Sequence, residues 1–265
     1  MALALRHQHV ADLVEADREV ALPFGVARVG GGQLLGDGEV VAVALQGLVA
    51  LAPGHQHVAD LDVAAVLETW YPGVAGAEAL ADVLLGAADP GGRLPVTFPA
   101  DPAAMPTAAP ARYPGEGGIA RYDEGLLMGY RWYDATGTRP LFPFGHGLSY
   151  ARFAYADLAV RPEGDGAEVA FTVTNTGSRR GTEVAQLYLG PPEPPPAPMP
   201  PRRLAGFARL DLAAGESRRV TLAVAPEALA WWSPERRGWL PAPGPRRVEV
   251  GASSRDVRLT GRLEP

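Results

Sequence analysis

Two adjacent carboxylates, Asp123 and Glu124, form the pair in this sequence that most resembles a catalytic acid and base. Such a pair works when both groups reach the same reacting atoms, one giving a proton and the other taking it. Neighbouring residues on a strand point to opposite faces, and a loop offers no better guarantee of convergence. We therefore interpret Asp123 and Glu124 as loop carboxylates bonded to the backbone, with acid–base catalysis as the alternative.

Two His-x-His pairs offer a second kind of chemistry, at His7 and His9 and again at His55 and His57. Imidazole suits transition metals, and this spacing puts both rings on one face of a strand. No carboxylate arrangement accompanies either pair, so exposed polar histidines are the favoured interpretation. The sequence has no Cys, which excludes a thiolate nucleophile, a Cys-type zinc site and a disulfide framework. We expect no metal and no cofactor.

The segment that follows residue 60 has the pattern of an α/β unit. The apolar run 63–70 predicts a buried strand, and 71–73 predict a turn. Residues 76–85 carry apolar side chains at helical spacing, and Gly86 follows where a helix end favours left-handed backbone. Residues 94–98 predict the next strand, parallel to the first and reached by a right-handed connection. Two strands joined in this way predict part of an open α/β sheet.

A long connector and then an all-β region follow. Residues 99–150 are rich in Pro, Gly and aromatic side chains, and a loop of this length predicts a segment that drapes over a neighbouring domain. Beyond residue 150 the period becomes two, which predicts an antiparallel β-sandwich over about 155–263. We expect four side chains to point into its core, namely Val169, Phe171, Val173 and Val184. The fold class is therefore mixed, a partial open α/β sheet followed by an all-β, immunoglobulin-like sandwich.

Other features of the second half fit this sandwich. Asn175, Thr176 and Gly177 predict a turn, and the Pro-dense stretch 191–201 predicts an extended loop rather than a strand. The strand candidates besides the one at 169–173 are 183–189, 204–212, 217–224, 246–251 and 257–263. Trp231, Trp232 and Trp239 are expected in the core or between the sheets.

Charge and hydropathy exclude two classes of partner. The net charge is −6, the isoelectric point is near 5.4 and the arginine pairs are scattered, so we expect no nucleic-acid partner. No apolar stretch is long enough to span a bilayer, so we expect no membrane partner. Arg6, His7, Gln8 and His9 stand where a secretory signal would need its apolar run. We therefore expect a cytoplasmic location for the chain as written.

Several longer strings resemble one known family in their order along the chain. They are Trp70-Tyr-Pro-Gly73, Gly76-Ala-Glu-Ala-Leu-Ala-Asp-Val-Leu-Leu-Gly86, Asp89-Pro-Gly-Gly-Arg-Leu-Pro-Val-Thr-Phe-Pro99, Tyr122-Asp-Glu-Gly125, Gly129-Tyr-Arg-Trp-Tyr-Asp134 and Phe142-Pro-Phe-Gly-His-Gly-Leu-Ser-Tyr150. Together they resemble the late part of the α/β domain of family 3 glycoside hydrolases, of the β-glucosidase type. Val173-Thr-Asn-Thr-Gly177, Gly181-Thr-Glu-Val-Ala-Gln-Leu-Tyr188 and Val250-Gly-Ala-Ser-Ser254 resemble the fibronectin type III-like domain that follows in many such enzymes.

The resemblance implies a domain order. Residues 1–60 stay unassigned as an atypical N-terminal segment. Residues 61–150 correspond to the C-terminal part of the family's α/β domain with its long connector, and residues 151–265 to the fibronectin type III-like domain. The family also has a (β/α)8 barrel that supplies an Asp nucleophile, and 60 residues cannot form a barrel. We therefore expect the nucleophile to lie outside this chain.

The resemblance also suggests one acid/base candidate, Glu15. Family members often show Glu-x-x-Asp-Arg followed shortly by Leu-Pro, and the string from Val14 to Arg18 with Leu22-Pro23 is similar. Glu15 stands one position nearer the Asp than the pattern requires, and a solvated surface Glu is the alternative. Retaining hydrolysis uses two carboxylates about 5–5.5 Å apart, so Glu15 alone implies little or no activity.

Trp70 and Tyr71 are the best candidates for contact with substrate. Aromatic rings stack on the apolar faces of sugars, and open α/β sheets bind ligands beyond the carboxyl ends of their strands. The alternative for these two residues, and for Tyr130, Trp132 and Tyr133, is packing between domains. We also expect an exposed apolar patch of more than a few hundred Å² where a barrel would dock.

The resemblance therefore implies the C-terminal portion of an exo-acting β-glycosidase. Its substrate would be a β-glucoside or an oligosaccharide with terminal β-linked glucose or a related sugar, hydrolysed with retention once a barrel completes the site. The isolated chain is expected to be inactive or nearly so. The alternative is a non-catalytic structural or interaction module that packs on a separately encoded catalytic barrel.

Overall fold

The computed structural model describes residues 65–71 and 73–264, together with the backbone of four short strands nearer the N-terminus. These four strands are β1 (Ala2–Leu5), β2 (Glu19–Leu22), β3 (Gly25–Arg28) and β4 (Val41–Ala44). Strands β2 and β3 form a separate antiparallel pair. No helix in the described part of the chain is long and apolar enough to cross a membrane.

The strand and helix predicted after residue 60 are present. Strand β5 (Ala65–Glu68) lies between β1, to which it is antiparallel, and β4, to which it is parallel. Helix α1 (Gly76–Leu84) buries Leu80 and Val83 against Leu67 of β5. Gly86 follows the helix with φ +73°, as its position at the helix end predicted.

The second strand of the α/β unit was predicted wrongly. Residues 94–98 are irregular and do not pair with β5, so the parallel, right-handed crossover is absent from this segment. They lie instead along residues 141–146: the Leu94 N–H donates to the His146 carbonyl at 2.8 Å, and Phe98 bridges Phe142. Pro95 has no N–H to donate to a sheet ladder, and this loop needs fewer backbone donors than a central strand does.

Residues 99–150 form the predicted connector with little regular structure. A single 3₁₀ turn (Pro102–Ala104) and helix α2 (Tyr130–Thr136) are the helical elements that the structure describes within it. Gly137 ends α2 in the left-handed conformation, with φ +68°.

The second half of the chain folds as the predicted sandwich of two antiparallel sheets. One sheet has the order β10-β7-β6 and the other β14-β13-β8-β9. Their strands are β6 (Phe153–Glu163), β7 (Gly166–Asn175), β8 (Gly181–Pro192), β9 (Arg203–Leu212), β10 (Ser217–Val224), β13 (Arg246–Gly251) and β14 (Val257–Leu263). The core between the sheets includes Val169, Phe171 and Val173, all fully buried as predicted.

The inward face of β8 differs from the prediction by one residue. Ala185, Leu187 and Leu189 enter the core, whereas Val184 is only partly buried and lies on the opposite face. That opposite face is covered too, because Tyr188 and Gln186 are buried under the connector. A strand that is buried on both faces loses the alternation from which its register is read.

Two features of the sandwich were not predicted. Strand β6 is 11 residues long and pairs with β7, with an irregularity between Ala156 and Ala159, although its residues show no clear strand pattern. Trp232 and Trp239, expected in the core, are exposed on a separate two-stranded hairpin made of β11 (Ala230–Ser233) and β12 (Gly238–Pro241). Trp231 is partly buried on the same hairpin.

Candidate functional site

Trp70 lies just beyond the carboxyl end of β5, a strand with one parallel neighbour. Its backbone N–H donates to Glu68 Oε1 at 2.9 Å, and its φ is +52°. Left-handed backbone is unusual for a bulky residue and is held only where the surroundings over-determine it. The turn therefore fixes the direction in which Trp70 leaves the sheet.

The Trp70 side chain joins a chain of aromatic contacts. Its ring meets the Phe98 ring edge-on, with the ring centres 6.5 Å apart, and Phe98 contacts Phe142 at 6.2 Å. Phe142 stacks in turn on the imidazole of His146 at 5.6 Å. Leu94 is buried in the same cluster. Trp70 is thus partly a packing residue that holds the 94–98 and 141–146 loops beside the sheet.

Tyr71 points away from this cluster and is 87% exposed. The exposed ring offers its face for stacking on the apolar face of a ligand, whereas Trp70 is partly buried and meets the Phe98 ring edge-on. The two candidates for substrate contact therefore stand in different environments at the same strand end. A sugar-binding role for either residue stays a prediction.

His146 is the titratable side chain of the cluster. Partial burial, with a smaller contribution from the Arg93 guanidinium, lowers the pKa of His146 below its ordinary value. Its Nε2 atom is buried and has no hydrogen-bond partner in the described part of the chain. The neutral imidazole is the form that this environment favours.

The adjacent carboxylates Asp123 and Glu124 converge on one cation. Arg112 Nε lies 2.5 Å from Asp123 Oδ1 and 3.7 Å from Glu124 Oε2. The hydrogen bond from Arg112 is the main cause that lowers the pKa of Asp123, which makes that carboxyl a poor proton donor at neutral pH. Arg112 also donates to the Pro106 carbonyl and lies over the Trp132 ring at 5.0 Å. The geometry favours an arginine clamp on the connector over an acid–base pair.

The aromatic residues of α2 pack between the connector and the sandwich. Tyr130 stacks on Phe144 at 4.9 Å, contacts Tyr188 edge-on at 5.9 Å and accepts the Leu204 N–H on its hydroxyl. Tyr133 is buried. Tyr130 therefore has the inter-domain packing role proposed as the alternative to stacking on a sugar, and the burial of Tyr133 leaves its ring no open face for a sugar.

Asp89 was not recognised as a key residue from the sequence. Its carboxylate accepts the backbone N–H groups of Tyr150 and Thr182, both at 2.8 Å, and the hydroxyl of Ser149. The Asp-Pro-Gly-Gly string indicates a turn, but no local signal reveals partners so distant in sequence. Asp89 fixes the turn after α1 to both the end of the connector and the start of β8.

Arg93 makes a second connection between the two parts of the chain. Its guanidinium pairs with Glu183 at 2.8 Å, and both side chains are buried. The loop that carries Asp89 and Arg93 also lines a shallow groove of about 530 Å³ against Val184 and Arg209 of the sandwich.

The remaining candidates lie outside the described residues. These are Glu15 and the histidines at positions 7, 9, 55 and 57. Within the described part of the chain, no cluster of three or more His, Cys, Asp or Glu side chains is arranged to hold a metal ion. The described part therefore offers aromatic and hydrogen-bonding surfaces at the candidate site.

Comparison with known proteins decides the family. The Glycosyl hydrolase family 3 C-terminal domain matches residues 36–150, and the Fibronectin type III-like domain matches residues 183–254. The chain belongs to glycosyl hydrolase family 3. It spans about a quarter to a third of the length of the curated relatives it matches.

Three relatives show how far this family 3 chain resembles characterised proteins. It is 34% identical to Beta-glucosidase BoGH3A of Bacteroides ovatus, over 98% of this chain and 35% of that protein. It is 43% identical to a Beta-glucosidase of Rhizobium radiobacter, over 75% of this chain and 25% of that protein. The crystal structure of DesR, a beta-glucosidase from Streptomyces venezuelae in complex with D-glucose, is 42% identical with a TM-score of 0.73, over 75% of this chain and 26% of that one.

A relative named for another activity is nearly as similar. An Exo-alpha-(1->6)-L-arabinopyranosidase of Bifidobacterium breve is 40% identical to this family 3 chain over 74% of it, and the chain covers 26% of that protein. Relatives named for different sugars therefore share this C-terminal region about equally. Sequence similarity in this region alone does not indicate which sugar is hydrolysed.

Proposed function

We propose that this chain is the C-terminal portion of a β-glucosidase-type exo-glycosidase, which hydrolyses terminal β-linked glucose or a related sugar with retention of configuration. The observation that carries the proposal is the match of both of its domains to relatives named beta-glucosidase, over only the share of those relatives that it spans. The nucleophile would come from a barrel domain that the described residues do not form.

The part played by this chain would be to complete and position the site. Two carboxylates on opposite sides of the scissile bond are required, one to form the glycosyl-enzyme and the other to protonate the leaving oxygen. Glu15 is the proposed acid/base, while Trp70 and Tyr71 at the end of β5 are the proposed contacts with the sugar. The Asp89 and Arg93 connections would keep the strand end in a fixed place relative to the sandwich.

The connector exposes several large apolar side chains to solvent. Its exposed side chains include a group of large apolar residues, which are Met105, Tyr113, Ile119, Tyr122, Leu126 and Met128. Exposed apolar residues grouped on one segment mark a surface for another protein part more often than singly scattered ones do. We propose that this surface packs on the barrel, whether the chain completes a catalytic site or serves as a non-catalytic module.

Two chimaeras test the proposal. In the first, the part of the Rhizobium radiobacter beta-glucosidase that precedes the region of similarity is fused to residues 65–265. In the second, only the barrel domain of that protein is fused to residues 1–265, so that the fusion lacks the acid/base of the Rhizobium protein. We expect release of nitrophenol from an aryl β-glucoside by the first chimaera at about 1–10³ s⁻¹, the usual enzyme range. The 265-residue chain alone should remain far below that rate.

The second chimaera addresses Glu15, because its acid/base has to come from residues 1–265. Glu15→Gln should lower turnover by about 10²–10⁴-fold if Glu15 is the acid/base. Equal rates for this chimaera with and without the Glu15→Gln change would reject that role. A folded but inactive first chimaera would favour the non-catalytic module, and rapid hydrolysis by the chain alone would refute the dependence on a barrel.

The same design separates the sources of sugar specificity. A third chimaera takes its preceding part from the Bifidobacterium breve arabinopyranosidase. We expect its preference to shift to an aryl α-L-arabinopyranoside, since the subsite for the terminal sugar would be built mainly on the barrel. Retention of a glucoside preference would instead place the selective contacts on residues 65–265.

A further inference from the structure

The β11–β12 hairpin presents two tryptophans on its outer face. Trp232 and Trp239 are direct cross-strand partners, so they project from the same side of the ribbon. Their ring centres are 5.8 Å apart with the planes at 75°, and the residues are 49% and 64% exposed. On the other side of the ribbon the Trp231–Leu240 pair is partly buried. The solvent face, which is normally polar in such a ribbon, is aromatic here.

The hairpin is held rigidly at its base. Arg246, fully buried in β13, donates from one Nη2 atom to the Leu229 carbonyl before β11 and to the Ala242 carbonyl after β12 at 2.7 Å. At the other end of the hairpin, Ser233 Oγ accepts the Arg236 N–H. A buried arginine that joins the two strand ends at the base of a short hairpin limits its backbone motion, so Trp232 and Trp239 stay opposite each other on the ribbon.

The size of the aromatic face restricts what it can bind. Two tryptophans exposed by about half present roughly 200–300 Å² of apolar surface in total. A stable protein interface buries about 1,200–2,000 Å², so this face is much too small to hold a second copy of the chain by itself. It is large enough for one or two sugar rings, whose C–H faces stack on indoles. Glu235, Arg236 and Arg237 are exposed in the adjoining turn and supply donors and acceptors for ring hydroxyls.

We propose that Trp232 and Trp239 form a carbohydrate-binding platform that stacks on the pyranose rings of a glycan chain. The choice of ligand rests on the proposed function, because a glycosidase meets glycans. The two perpendicular indoles contact one ring on its face and its edge, and the turn contacts its hydroxyl groups. Binding at this platform involves no bond cleavage.

Affinity electrophoresis tests the platform with the whole 265-residue chain. Migration is compared in gels with and without soluble mixed-linkage β-glucan, and cellohexaose binding is titrated by calorimetry. We expect the glucan to retard the chain. Trp232→Ala with Trp239→Ala should abolish the retardation, and either single change should weaken cellohexaose binding about tenfold, as loss of an aromatic anchor does. Trp239→Phe should retain part of the affinity.

Phe207→Ala is the matched control, because Phe207 is 63% exposed in the same sandwich but has no aromatic partner among the described residues. It should leave the retardation unchanged, and thermal unfolding should show that all variants remain folded. The proposal is overturned if the wild type is not retarded, if the double variant is retarded equally, or if sedimentation shows that the tryptophans hold two copies together. The assay needs no hydrolysis, so its result is independent of the chimaeras.

Discussion

Asp89 Oδ2 accepts the backbone N–H of Thr182 at 2.8 Å, which joins the loop after α1 to the start of β8 across 93 residues of sequence. The same carboxylate accepts the Tyr150 N–H and the Ser149 hydroxyl. Three donors on one carboxylate make this contact a junction between the α/β part, the connector and the sandwich. Its bonds involve an ionised acceptor, and such bonds are stronger than neutral ones.

Asp89→Asn should therefore destabilise the chain with little change of shape. The amide must turn at least one N–H toward a donor, so we expect a loss of about 2–4 kcal/mol in the free energy of unfolding. Urea denaturation measures it. Asp101→Asn is the control, since exposed Asp101 accepts one backbone N–H, from Ala103, and should cost about 1 kcal/mol or less. Equal losses would show that Asp89 is not a junction.

Gly145 provides a second test of the same interface. Its φ is +79°, and an added Cβ would overlap the amide of Gln186. Hydrogen bonds hold the Gln186 amide in place. Its Nε2 donates to the carbonyls of Gly145 and Ala252, and its Oε1 accepts the hydrogen bond of the Tyr188 hydroxyl. Gly145→Ala should cost about 2–4 kcal/mol, combining left-handed backbone with overpacking.

The control for this change is Gly215→Ala. Gly215 has a similar φ of +74° but open space where the Cβ would go. It should cost about 1–2 kcal/mol from the backbone alone. Thermal unfolding of both variants separates the cost of left-handed backbone from the cost of overlap with Gln186. If Gly145→Ala is no more destabilising than Gly215→Ala, Gln186 moves aside at no energetic cost.

The corrected register of β8 gives a third prediction. Leu187→Ala removes a fully buried side chain from the sandwich core and should cost about 2–5 kcal/mol. Val184→Ala changes a partly buried residue beside the groove and should cost about 1 kcal/mol or less. The midpoints of denaturant unfolding measure both losses, provided that the m-values of the two variants are equal. A larger loss for Val184→Ala would restore the register expected from the sequence.

The sequence-based predictions were accurate where a structural feature depends on residues close together in the sequence, and inaccurate where it depends on distant ones. Phe171 was placed correctly because β7 has one face in the core, and its neighbours alternate accordingly. Val184 was misplaced because both faces of β8 are covered. Trp232 was misplaced because residue type alone favours burial. The role of Asp89 was invisible, since its Thr182 partner is too distant in sequence for any local pattern to reveal.

Strand β8 explains why the connector and the sandwich are expected to unfold together. One face carries Leu187 in the sandwich core, and the other carries Gln186 and Tyr188 under the connector. Asp134 of α2 adds ion pairs to Arg202 and Arg255 of the sandwich, both at 2.9 Å. Loss of the connector would expose a buried strand face, so neither part has an independent core on that side.

His146 gives the pH dependence of this assembly. Partial burial and Arg93 lower the pKa of His146, and the weaker influence of Asp256 opposes them. The unfolded chain therefore binds a proton near the ordinary pKa of 6.5, while the folded chain does so only at lower pH. Between those two values the unfolded state holds more protons, so the free energy of unfolding falls as the pH falls below about 6.5.

His146→Phe should reduce that loss, because phenylalanine does not titrate but can still stack on Phe142. Between the folded-state and unfolded-state pKa of His146, we expect the free energy of unfolding of the wild type to fall by up to about 1.4 kcal/mol per pH unit more than that of the variant. Urea denaturation at about pH 7.5, 6.5 and 5.5, which brackets the ordinary histidine pKa, measures it, and the other histidines, present in both proteins, cancel in the difference. Parallel pH profiles would show that His146 titrates alike in the folded and unfolded chains, and a steeper profile for the variant would reverse the assigned sign.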